Sequence, residues 1–192
     1  NLELKKITGC SIFGAKADAD RIPGIDFFVV EGDLIRIGQH QAKIIEVSGH
    51  TNGHIAYWFE GSQALFCGDT LFSLGCGRLF EGTPTQMWNS LLKLRELPDE
   101  TRVFCGHEYT SSNANFALTI DPKNKDLLRR ADEVYRLRDS GESTIPSFLG
   151  EEKKANPFLR ADREELMQAL GLLGRDASVV FAEIRNLKDN FQ

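Results

Sequence analysis

The sequence predicts an α/β fold whose last third is helical, and three observations carry that prediction. Short apolar runs rich in β-branched and aromatic residues recur as far as residue 105, separated by glycine-containing turns. Beyond residue 110 the apolar residues repeat at helical spacing instead. Three of the strand-like runs also end alike, on a glycine followed by a histidine or an aspartate.

Phe27 to Val30 is a short apolar run, and Leu34 to Ile37 alternates between apolar and other residues. Ala42 to Val47, Ile55 to Phe59, Ala64 to Cys67 and Val103 to Cys105 read as buried strands. Glu31-Gly32-Asp33 and Glu60-Gly61-Ser62 supply turns between them. The first clear helix starts at Pro84: Thr83 suits the N-cap, Pro84 the first helical position, and Gln86 completes a capping box. Met87, Leu91 and Leu94 follow at helical spacing, and Pro98 closes the segment. Asn124 to Arg138 places Leu127, Ala131, Val134 and Tyr135 on one face, with Gly141 past its end. Two further helices are expected near Arg163–Leu170 and Ser178–Lys188. The change in pattern predicts a β-rich part over 1–110 and a helical part over 111–192.

The chain has 192 residues, 41% of them hydrophobic, enough to bury a sizeable core. Its net charge of −5 and the lack of a basic stripe argue against a nucleic-acid partner. No apolar run reaches membrane-spanning length, and Asn1 to Lys6 lacks the apolar stretch of a secretory signal. Cys10, Cys67, Cys76 and Cys105 form no C-x-x-C pair. Cys67 and Cys105 lie in apolar runs and read as buried free thiols, so a cytoplasmic location is expected.

The candidate site comes from the three strand ends. They read Val47-Ser48-Gly49-His50, Phe66-Cys67-Gly68-Asp69 and Phe104-Cys105-Gly106-His107. Strand C-termini in α/β layers meet at one sheet edge, and a glycine there lets the chain turn sharply. Imidazole and carboxylate side chains brought into one cleft suit zinc, iron or manganese. A single Gly-His or Gly-Asp is ordinarily only a turn; three on three apolar runs point to a shared metal site.

The residues around these ends carry a resemblance. Gly49-His50-Thr51-Asn52-Gly53-His54 resembles the G-H-T-x-G-H motif of the metallo-β-lactamase superfamily, and Leu65-Phe66-Cys67-Gly68-Asp69-Thr70-Leu71-Phe72 resembles its second block. Gly75-Cys76-Gly77-Arg78-Leu79-Phe80-Glu81-Gly82, Cys105-Gly106-His107-Glu108-Tyr109-Thr110, Asn156-Pro157-Phe158-Leu159-Arg160 and Arg185-Asn186-Leu187-Lys188-Asp189 resemble the glyoxalase II family in particular. The resemblance covers nearly the whole chain. It implies an αββα metallo-β-lactamase sandwich, here incomplete at its N-terminal side, followed by a helical substrate-binding domain.

The resemblance also implies roles. His50 would bind one divalent ion, His107 a second, and Asp69 would bridge both. Zinc is the expected metal, with iron or manganese also accepted. A metal-bound hydroxide would attack the carbonyl of an S-(2-hydroxyacyl)glutathione such as S-lactoylglutathione, the thioester of methylglyoxal detoxification. A thiolate leaves without a strong acid, so no dedicated general acid is required. Arg78 would pair a carboxylate of the glutathione moiety, Tyr109 would hydrogen-bond the peptide, and Arg185 and Lys188 would hold the outer carboxylate from one helix face. Phe80 stands where some members have tyrosine, leaving an apolar wall in place of a hydroxyl. His54 reads as a residue supporting a ligand, His40 as a solvated turn residue, and Cys76 as structural, since no histidine base adjoins it.

One departure weakens the carry-over. The superfamily's first motif, T-H-x-H-x-D-H, matches nothing here, and none of the four histidines forms an H-x-H pair. Asn1-Leu2-Glu3-Leu4 resembles the segment that follows that motif, so a fragment lacking its first strands is expected. His50, Asp69 and His107 then give each ion two protein ligands where zinc sites typically have three or four, which predicts weak metal binding and poor hydrolysis. An uncovered sheet face or edge, with marginal stability or association, is the structural corollary; a monomer is expected for an intact protein. Two other functions remain: a single-iron persulfide dioxygenase on the same scaffold, and a non-catalytic remnant that binds glutathione conjugates or a partner protein.

Overall fold

The computed structural model describes residues 1–191. The chain opens with helix α1 (Leu2–Thr8) and two short parallel strands, β1 (Phe13–Ala15) and β2 (Phe27–Val29). Strands β3 (Leu34–Ile37), β4 (His40–Glu46), β5 (Ile55–Phe59) and β6 (Ala64–Gly68) form an antiparallel meander. A small hairpin follows, made of β7 (Leu71–Phe72) and β8 (Gly75–Cys76). Helix α2 (Pro84–Arg95) then crosses over to β9 (Arg102–Cys105), which pairs in parallel with β6. The remainder is α3 (Thr110–Ile120), α4 (Lys125–Asp139), β10 (Ser147–Phe148), α5 (Leu149–Ala155), α6 (Glu164–Ala169) and α7 (Ala177–Asp189). The six-stranded main sheet runs β10-β9-β6-β5-β4-β3.

The fold class is the one the sequence predicts, a mixed sheet with helices and a helical C-terminal third. The strand-like runs from Leu34 onward all enter the main sheet, whereas Phe27–Val29 pairs with Phe13–Ala15 outside it. His40, expected in a turn, instead begins β4 opposite Ile37, and it is exposed as expected. The capping box of α2 is complete: Thr83 Oγ1 accepts from the Gln86 amide at 3.2 Å, and Gln86 Oε1 accepts from the Thr83 amide at 2.8 Å. Helices α1, α3 and α5 lack a clear sequence signature. In α3 the first turn is Thr110-Ser111-Ser112-Asn113, residue types that gain little from a helix, and burial of Ala114, Phe116, Ala117 and Ile120 holds it.

Alternation along the strands sorts the two sheet faces. Trp58, Leu65, Cys67 and Val103 point into the main core, where they meet Met87 and Leu91 of α2, Phe116 of α3 and Phe181 of α7. The first two-thirds of the chain and the helical third therefore share one core. The opposite face carries a smaller cluster of Val29, Ile35, Ala42 and Ile44. Beyond that cluster it stays open: Ile37 is 59% exposed, Phe66 44% and Phe148 49%. Phe66 stacks on Phe104 at 4.8 Å, and the Arg102 guanidinium lies over Phe104.

The topology also explains the site. Strand β4 is antiparallel to β5, and β5 to β6, so β4 and β6 run the same way, and β9 runs with β6. All three therefore end at one edge of the sheet. Open apolar faces such as the one bearing Ile37 and Phe66 commonly mark association sites. Light scattering on the chain is expected to show mass rising with concentration, and Phe66→Asp is expected to reduce that rise without unfolding the protein. A concentration-independent monomer would contradict the assignment of this face.

Candidate metal centre and substrate cleft

Each strand end places one side chain at that edge. After β4, Gly49 adopts φ +149°, and a β-carbon there would strike Met87 at 2.7 Å, so only glycine lets the loop lie against α2. After β6, Gly68 adopts φ +52° and turns the chain so that Asp69 faces the neighbouring strand ends. After β9, the Gly106 amide donates to the Gly68 carbonyl at 2.9 Å, which sets His107 beside Asp69. Asp69 Oδ2 then lies 3.4 Å from His50 Nε2 and 3.3 Å from His107 Nε2.

The hydrogen bonds around this trio define its donor chemistry. His50 Nδ1 sits 2.9 Å from the Arg78 carbonyl, which can only accept, so Nδ1 carries a proton and Nε2 is the nitrogen turned toward Asp69. A nitrogen and a carboxylate oxygen 3.4 Å apart at one sheet edge suit two ligands of one cation. His107 is fixed by stacking, its ring 4.9 Å from Tyr109 and 13° from parallel, with Phe72 edge-on. The Phe80 ring lies 4.8 Å from that of His50.

His54 supports the trio. Its Nε2 lies 3.1 Å from the Asp69 amide, from which it can accept, and 3.3 Å from the Cys67 carbonyl, and burial pushes its pKa below the usual imidazole value, which favours a neutral ring. The residues present thus fit divalent metal. The trio would offer only two protein ligands to each of two ions, and among the described residues no group of three or more His, Cys, Asp or Glu side chains is arranged to hold an ion.

A cleft of about 510 Å³ opens over these ligands, and Arg78, Phe80, Tyr109, Arg185 and Lys188 line it together with the trio. All eight residues singled out in the sequence therefore meet in one place. Arg185 is almost wholly buried, donating to the Cys76 carbonyl at 3.0 Å and to Asp189 at 2.9 Å, and its Nε has no partner. Lys188 Nζ donates to the Ser112 carbonyl and hydroxyl, both at 3.1 Å. Burial first, then the neighbouring Arg185 and Arg78, push its pKa down to about 8. Arg78 is exposed, 3.8 Å from Asp189. The Cys76 thiol is buried and its pKa pushed up to about 11, which makes it a poor nucleophile.

Sequence reasoning missed Phe72, Ser112 and Asn113, which also line the cleft. It missed Asp189 as the carboxylate that receives both Arg185 and Arg78. Asp189 lies four residues past Arg185 on α7, an i, i+4 spacing that could have marked it.

Comparison with known proteins places the chain in a class first. Residues 4–107 match the model of the metallo-beta-lactamase superfamily. Solved structures agree on the fold: ETHE1 from Myxococcus xanthus superposes with a TM-score of 0.60 at 24% identity over 98% of this chain and 70% of that one. The BLEG-1 B3 metallo-beta-lactamase gives 0.57 at 19% over 82% and 68%. These define a protein of the metallo-β-lactamase superfamily and fold.

The particular family follows from the rest of the chain. Residues 108–191 match the model of the hydroxyacylglutathione hydrolase C-terminus. The chain is 60% identical over 191 residues to the hydroxyacylglutathione hydrolase of Rhodospirillum rubrum, covering 100% of this chain and 75% of that protein. It is 55% identical to that of Methylococcus capsulatus, with the same coverage. The chain belongs to the hydroxyacylglutathione hydrolase family of the metallo-β-lactamase superfamily.

The support given by His54 is open to test. His54→Phe leaves the Asp69 amide unpaired in a half-buried place, at a cost of about 1–3 kcal/mol. Zinc affinity, read by competition with a chromophoric chelator, is expected to fall by about 10- to 100-fold, as for other residues that orient metal ligands. Unchanged affinity in a folded variant would remove His54 from the site.

Proposed function

We propose that the cleft hydrolyses S-(2-hydroxyacyl)glutathione thioesters, such as S-lactoylglutathione, to glutathione and a 2-hydroxy acid. One observation carries this reading: the carboxylate-bridged imidazole pair and the cations Arg78, Arg185 and Lys188 line the same cleft. Family membership supports it, because the relatives that match over the whole chain are named for this reaction.

His50 and Asp69 would hold one divalent ion and Asp69 and His107 the other, with zinc the proposed metal. Bound there, such ions supply Lewis acidity toward the thioester carbonyl and lower the pKa of water. The protein's own residues do the rest. Arg185, Lys188 and Arg78 offer charged donors to the carboxylates of the tripeptide, which sets the acyl end toward the strand ends. The Tyr109 phenol stands beside His107, free to donate to a peptide carbonyl. Phe80 closes the wall next to His50 with an apolar ring. The leaving thiolate of glutathione, with an ordinary thiol pKa near 8.5, departs without a protein acid. The organisation into 1–110 and 111–192 belongs to the same proposal, supported by family models that meet between residues 107 and 108.

Thiol release from S-lactoylglutathione tests the reading. Release is expected only with Zn²⁺ or Mn²⁺ in excess, to be lost on dialysis against chelator, and to be abolished by Asp69→Asn. A chain that binds the thioester but never releases thiol would be a remnant binder, and tightly held stoichiometric zinc would contradict the two-ligand count. The pH profile is a second check. Lys188 is cationic below its pKa of about 8 and neutral above it, so KM is expected to rise as pH passes that value. Lys188→Arg, charged throughout, is expected to keep KM flat.

A further inference from the structure

The β7–β8 hairpin joins the two halves of the cleft. Asp69 and Thr70 precede it, Cys76 ends it, and Gly77 and Arg78 follow. The Gly77 amide donates to the Thr70 carbonyl at 3.3 Å, which carries the pairing one step past the strands. Two carbonyls beyond the turn act on the site: that of Arg78 receives His50 Nδ1, and that of Cys76 receives Arg185. Whatever fixes the hairpin therefore fixes a metal ligand and a substrate cation together.

The turn itself cannot do this. Its residues are Ser73 and Leu74, and Leu74 has φ +55°, a left-handed conformation that a branched L side chain rarely adopts. Both residues are buried, so their polar groups need protein partners. The partners come from the helical third. Glu152 on α5 is 1% exposed and has no cation bonded to it; its Oε1 accepts from the Ser73 hydroxyl at 2.9 Å and its Oε2 from the Leu74 amide at 2.8 Å. Asn156, which ends α5, donates from Nδ2 to the carbonyls of Phe72 at 3.1 Å and Gly75 at 3.0 Å, and to Glu152 Oε2 at 3.1 Å. Asn113 of α3 donates to the Ser73 carbonyl at 3.0 Å.

We propose that Glu152 is a positioning residue of the thioester site: together with Asn156 it clamps the β7–β8 turn, and through that hairpin it sets the carbonyls that orient His50 and Arg185. A buried carboxylate opposite three donors, with the Arg130 guanidinium acting on it only at a distance, is a costly way to stabilise a two-residue turn, since burial raises its pKa. An apolar residue would fill the space, but it would release the Leu74 amide and let the hairpin leave its left-handed turn. The inference rests on the reading of the cleft as a glutathione-thioester site.

The test uses the whole 192-residue chain, with S-methylglutathione and Zn²⁺ as separate titrants in calorimetry. Stoichiometry reports the folded fraction and the dissociation constant reports the site. Glu152→Leu is expected to weaken both constants at least tenfold in the protein that remains folded. Glu152→Gln keeps an acceptor for the Leu74 amide while Ser73 reverses its hydroxyl, so it is expected to restore most of the affinity. Ile44→Ala, a cavity on the other face of the sheet, is expected to lower Tm and leave both constants alone. Should Glu152→Leu not fold, Ser73→Ala removes one donor from the same carboxylate and is expected to shift both constants in the same direction by a smaller factor.

A folded Glu152→Leu or Ser73→Ala protein with wild-type constants would overturn the proposal, as would Ile44→Ala shifting them equally. Wild-type protein that binds Zn²⁺ but not S-methylglutathione would sink the thioester reading, and the zinc constants alone would then decide the clamp.

Discussion

The structure depends on how closely three strand ends crowd around Asp69. A β-carbon on Gly106 would overlap the Asp69 carboxylate, one on Gly77 would overlap its carbonyl oxygen, and one on Gly68 would press on His54 at 2.5 Å. Backbone therefore approaches the aspartate from two sides, and its partner His54 is approached from a third. That confinement keeps Oδ2 between two imidazole nitrogens. The glycines of the motifs thus serve close approach as much as backbone conformation, since among these three only Gly68 has a positive φ.

Around this point the protein separates two tasks. The strand ends of the sheet carry His50, Asp69 and His107, and the helical third carries Arg185, Lys188 and the groups that hold the connecting hairpin. The two tasks are coupled through backbone carbonyls: Arg78 lends its side chain to the cleft and its carbonyl to His50, while the carbonyl of Cys76 holds Arg185. His50 and Arg185 are therefore both positioned by one short length of chain. The shared core of strands, α2 and α7 makes that coupling rigid, because α7 cannot shift without disturbing Phe181 and Ile184 in the main core.

The sequence alone made much of this legible. The strands from Leu34 to Cys105, the α2 capping box and the amphipathic α4 have local causes, in alternation, cap chemistry and helical periodicity, so they were readable. Helices α3 and α5 and the two-residue strands have no such cause. Thr110-Ser111-Ser112-Asn113 favours no helix until Phe116 and Ile120 find a core to enter. Glu152 reads as an ordinary charged residue of a Glu-Glu-Lys-Lys run, and its burial is set by residues 78 positions away in the chain.

What the sequence determined by itself was the inventory: three strand ends carrying His50, Asp69 and His107, and a family resemblance that named the cleft's cations. What only the tertiary structure decided was which groups serve one another. His54 supports Asp69, Asp189 receives Arg185 and Arg78, and Glu152 holds the Leu74 turn, all through contacts set by packing. Side-chain type and periodicity are local properties that sequence displays. Hydrogen bonding between buried groups far apart in the chain depends on the direction each backbone takes when the layers close, and no local pattern encodes that direction.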